Sequence, residues 1–146
     1  LIPLSRAYLY SRKHDLVLPM EEHLQDLASP AQQSELLTVI GYAYLGKNNI
    51  ADAKDYFRRA FELDENVYSL VALARIEILE RNYERAQGYL ERSLIKQADS
   101  IEALVAMGEV FVALGRDDEA VSYFNHALQV EGRLDQVRIM LAEEHY

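Results

Sequence analysis

The sequence has 146 residues, half of them hydrophobic, with a formal charge of −9 and no cysteine. The length suits one domain with its own core, and the missing cysteines exclude disulfide scaffolds and thiolate metal sites. The acidity argues against a nucleic-acid backbone or an anionic membrane as the main partner, because both are gripped by Lys/Arg patches. No apolar run approaches the roughly 20 residues that cross a bilayer.

In chain order, Leu4, Ser5 and Tyr8 open a helical pattern. Leu16, Val17, Met20, Leu24 and Leu27 form the apolar stripe of a second helix, provided that it begins close to Pro19. Ser29-Pro30 reads as a helix start, an N-cap serine followed by proline at the first helical position. Leu37, Ile40, Gly41 and Tyr44 then fall at helical spacing, followed by Ala53, Tyr56, Phe57, Ala60 and Phe61 on a second helix. The same pair returns as Leu70, Leu73 and Ala74 with Ala86, Tyr89, Leu90 and Leu94. It returns again as Leu104, Met107, Gly108 and Phe111 with Ala120, Tyr123, Phe124, Ala127 and Leu128. Between the last two stripes, Gly115 suits a helix C-terminus and the run Asp117-Asp118-Glu119 suits a helix N-terminus.

Gly41, Ala74 and Gly108 recur at steps of 33 and 34 residues, as do Ala53, Ala86 and Ala120. A period of this length marks stacked helix pairs that bury their core between neighbours. Small residues let two helix axes approach, and Phe57, Leu90 and Phe124 fill the space beyond. At the far end, Asp135 is expected to cap a fresh helix over 136–146, since Leu141 and Ala142 stand 34 residues after Met107 and Gly108. The expected organisation is a single domain of about seven helices. It comprises a weak repeat at 1–33, repeats at 34–66, 67–100 and 101–134, and the start of a further repeat or a capping helix at 135–146. The apolar opening Leu1-Ile2 is not a polar cap, so the sequence reads as a segment of a longer array.

These residues resemble the tetratricopeptide repeat, whose signature runs Trp-x2-Leu-Gly-x2-Tyr, then Ala-x3-Phe, Ala and Pro. The first copy offers Leu37-x2-Ile40-Gly41-x2-Tyr44, Ala53-x3-Phe57 and Ala60; the third offers Leu104-x2-Met107-Gly108-x2-Phe111, Ala120-x3-Phe124 and Ala127. Leucine replaces the tryptophan. Glu65, Ala98 and Gly132 stand where the closing proline belongs, and the middle copy has Glu77 for the tyrosine and Ser93 for the alanine.

The resemblance implies an all-α, right-handed superhelical solenoid of antiparallel helix pairs that binds a protein or peptide in a concave groove of first helices. By position, that groove takes Arg6 and Leu9 from the weak copy, Glu35, Thr38, Val39, Tyr42 and Leu45 from the first, and Tyr68, Val71, Ala72, Arg75 and Ile78 from the second. The third supplies Glu102, Val105, Ala106, Glu109 and Val112. Tyr42 and Tyr68 are expected to be the exposed aromatics. Members that clamp a peptide's terminal carboxylate use Lys, Arg and Asn there; Thr38, Val71, Val105 and a lone Arg75 make no such clamp. The runs Leu4-Ser5-Arg6-Ala7-Tyr8-Leu9 and Leu73-Ala74-Arg75-Ile76 are similar to bacterial cell-envelope arrays linked to exopolysaccharide or protein sorting. The compartment stays open between envelope and cytoplasm. A second reading makes the chain a spacing segment of a longer array that self-associates through its ends.

No catalytic residue, cofactor or metal site is expected. His14, His23, His126 and His145 lack the His-x3-His spacing that sets two ligands on one helical face. No phosphate-cradling glycine loop or nucleophile elbow occurs. Glu77 is read as reaching solvent and pairing with Arg81, four residues on. Arg58, Arg59 and Arg92 are read as complements to the carbonyl ends of their helices.

Overall fold

The computed structural model describes Asp26 and residues 29–144, and the first repeat expected at 1–33 lies almost wholly outside them. Six helices follow in three pairs: α1 (Pro30–Gly46) with α2 (Ile50–Leu63), α3 (Val67–Leu79) with α4 (Tyr83–Lys96), and α5 (Ile101–Ala113) with α6 (Asp117–Glu144). No strand occurs among the described residues. Short turns within each pair make its helices antiparallel. Each second helix also packs on the first helix of the next pair, and consecutive first helices touch one another. This is an all-α solenoid.

Local chemistry sets the helix starts. The Ser29 side chain accepts from the backbone N–H of Gln32 at 3.2 Å, with Pro30 opening α1. Asn49 caps α2, Asn66 and Ser69 form a capping box on α3, and Ser100 caps α5. The turn inside each pair repeats one geometry. Asn48, Arg81 and Gly115 take positive φ of 61°, 64° and 74°, and the next residue's N–H returns to Tyr44, Glu77 or Phe111. Glycine and asparagine adopt that region readily, whereas arginine carries the Cβ penalty.

The core follows the period. Ala53, Ala86 and Ala120 are buried, as are Phe57 and Leu90. Burying a side chain such as Phe57 contributes about 1.5–3 kcal/mol. A Cβ on Gly41 would overlap the Phe57 ring, and one on Gly108 would overlap Phe124. In the middle pair Ala74 faces a smaller residue, Leu90, in the same cluster. Glycine is thus matched to phenylalanine and alanine to leucine.

One expected break does not form. α6 runs without interruption through Asp135 to Glu144, so no fresh helix starts there. The cap positions of the earlier pairs, Asn66 and Ser100, correspond by period to Leu134, which has no oxygen to offer a freed N–H.

Candidate interaction surface

Because α1, α3 and α5 touch in succession, they line the inner side of the stack. The groove positions divide there into buried and accessible ones. Thr38, Val39, Val71, Ala72 and Ala106 are buried, the first with its hydroxyl donating to the Ser34 carbonyl at 2.9 Å. These five are packing residues in the structure: Val71 and Ala106 share one core cluster, and Ala72 packs with Ala53 and Phe57 of the preceding pair. Val105 is half-buried against Leu104 and Val130.

What stays accessible forms three rows across the helices. Glu35, Tyr68 and Glu102 lie near the helix starts, Tyr42, Arg75 and Glu109 in the middle, and Leu45, Ile78 and Val112 near the ends. Tyr68 is 49% exposed, as expected. Tyr42 is half-buried, its ring edge-on to Phe57 with centroids 4.9 Å apart, so it is less available than its partner. Arg75 is half-buried and has no hydrogen bond or ion pair among the described residues. Arg6 and Leu9 lie outside the described residues.

Glu77 departs from expectation. It is only 6% exposed, and its carboxylate accepts from the Asn82 side-chain amide at 2.9 Å. Arg81 takes the left-handed turn position and is exposed, and Asn82 supplies the partner instead. Tyr44 and Phe111 at the equivalent positions stack on Tyr56 and Tyr123 at 5.1 and 5.5 Å. With no ring at Glu77, Tyr89 packs edge-on to Phe61 of the preceding pair at 6.4 Å. The carboxylate is thus a structural member of the turn.

The arginines also act differently from expectation. Arg59 lies over the Tyr56 ring at 5.1 Å, and Arg92 pairs with Glu65 and lies 5.5 Å from the centre of Phe61. Neither stands in the last turn of its helix, where the carbonyl ends are. Arg92–Glu65 and Lys54–Glu80, the latter at 3.1 Å, tie the first two pairs together. Sequence reasoning missed both ties, since partners 27 and 26 residues apart leave no local signal. Among the described residues no group of three His, Asp or Glu is placed to hold a metal ion, and no helix is long and apolar enough to cross a membrane.

Comparison with known proteins agrees with this architecture. Family models described as tetratricopeptide repeat match residues 34–67 and 103–137. The chain belongs to the tetratricopeptide-repeat family. Among solved structures it is similar to a thermophilic protein of the family from Thermus thermophilus, with a TM-score of 0.68 and 22% identity over 96% of this chain and 77% of that one. It is also similar to the crystal structure of MamA, with a TM-score of 0.64 and 19% identity over 92% of this chain and 89% of that one. A curated human relative, Superkiller complex protein 3, is 29% identical over 98 residues, 62% of this chain. The chain spans only 6% of that relative's length. At these identities the solved structures establish the fold, and the family is one of protein–protein interaction scaffolds.

Proposed function

We propose that the chain is a non-catalytic scaffold that holds a peptide or a partner helix along the inner face of its first helices. The observation that carries this reading is Arg75, a half-buried cation without a partner among the described residues, between exposed Tyr68 and half-buried Ile78 on one helix. A partly desolvated guanidinium gains most from a carboxylate that can accept two of its N–H groups. Leu45, Ile78 and Val112 add an apolar row, and Tyr68 is the residue type that often anchors interfaces. Glu102 and Glu109 make the α5 end of the face acidic. The ligand that fits is a segment with apolar anchors, an acidic residue opposite Arg75 and basic residues towards α5.

Selection of displayed random peptides on the wild-type chain, with counter-selection on a Tyr68→Ala/Arg75→Glu variant of equal helicity, tests this. Enriched peptides should carry that pattern and fail to bind the variant. Peptides that hold both proteins equally would rule out the inner face.

A further inference from the structure

The inner face of α3 is a trough with small residues on its floor. Tyr68 is 49% exposed near one end of the helix and Leu79 is 54% exposed at the other, with Ile78 half-buried beside it. Between these walls Val71 and Ala72 are buried, and Val71 shares its cluster with Ala106 of α5. α1 and α5 touch α3 on either side and carry the trough across the stack. From Tyr68 to Ile78 the helix rises about 15 Å at about 1.5 Å per residue. That width takes an α-helix, about 10 Å across with its side chains. A single extended strand occupies about 5 Å in a sheet and would leave much of the trough empty.

Charge narrows the occupant further. Arg75 lies in the trough without an ion pair, and Glu109 holds the equivalent place on α5, also without one among the described residues. The axes of touching helices lie about 8–10 Å apart. Residues two turns apart on one face of a helix match that step at about 10.5 Å, whereas same-face residues of a strand stand about 7 or 14 Å apart. Residues 99–131 carry seven carboxylates and one arginine, and that arginine is already paired with Glu119, so the α5 end takes cations. Resting on the inner face as the binding surface, we infer that its occupant is an α-helix laid across α3 and α5. It sets a carboxylate on Arg75 and, seven residues away, a lysine or arginine on Glu109. Apolar residues one turn from these charges meet Ile78 and Val112.

Displayed random peptides selected on the full 146-residue chain are the probe. They are compared on the wild type, on Arg75→Glu/Glu109→Arg and on Tyr68→Ala/Arg75→Glu, all of equal helicity by circular dichroism. Enriched peptides should carry an acid and a base seven residues apart. The charge-swapped chain should bind them at least about tenfold more weakly, because it sets like charges together. Exchanging the peptide's own two charges should restore that binding. Proline at a peptide position where alanine is neutral should weaken binding at least about a hundredfold, the cost of breaking a helix. Carbon-13 shifts of the labelled bound peptide should be helical. Extended shifts, tolerance of the proline or charges at another spacing overturn the helical occupant, and the inner face stands if the same peptides are lost on Tyr68→Ala/Arg75→Glu. Peptides that hold all three proteins equally, or no enrichment at all, overturn the inner face and the helix together.

Discussion

A methyl group added at Gly41 or Gly108 has nowhere to go, because the Phe57 or Phe124 ring already occupies the space. Gly108→Ala should therefore cost about 1–3 kcal/mol, the range for overpacked cores. Gly108→Ala with Phe124→Leu should recover most of that loss, since it copies the native Ala74 and Leu90 pairing. Thermal denaturation followed by circular dichroism reads both, and a double variant no better than the single one would refute the matching of sizes. Arg81 holds φ at 64° where its counterpart Gly115 sits at 74°. Arg81→Gly should stabilise the fold by about 1 kcal/mol, the order of the left-handed penalty, measured by urea unfolding. This glycine–phenylalanine matching was readable from the period. The left-handed Arg81 was readable only by aligning it with Asn48 and Gly115, and the Asn82 bond to Glu77 was not readable at all, because a side-chain bond across a turn leaves no periodic trace.

The starts of α1, α2, α3 and α5 carry side-chain caps, and the absence of one at Leu134 accompanies the uninterrupted α6. Ser100 accepts from the Ala103 N–H at 3.3 Å, and Ser100→Ala should lower stability by about 1 kcal/mol. A loss below a few tenths in urea unfolding would show that packing alone starts α5. The paired helices at 30–63, 67–96 and 101–130 were legible because each stripe ends in turn residues. The fused α6 was misread: Leu141 and Ala142 match the period, but Leu134 lacks the capping oxygen of Asn66 and Ser100. Arg138 also stands where Leu104 is buried, which makes the stretch a poor first helix. Removal of the Arg92–Glu65 tie by Arg92→Ala should cost no more than about 1 kcal/mol, as exposed ion pairs do.

Across the whole molecule, packing between helices buries a third of the described groove positions and leaves three rows open. Position in the repeat assigned the face, yet it gave no warning that Thr38, Val71 and Ala106 would be buried, Val71 and Ala106 in one core cluster between repeats. Those contacts depend on how closely neighbouring pairs approach, which the small residues set only indirectly. What remains is a surface of mixed character, with Tyr68 and Arg75 at its centre and glutamates at the α5 end. The most direct test is an amide chemical-shift titration of the wild-type chain with a peptide selected on it. The predicted shifts cluster on α1, α3 and α5 around Tyr68, Arg75, Ile78 and Val112. Shifts confined to α2, α4 and α6 would contradict the inner face as the binding surface.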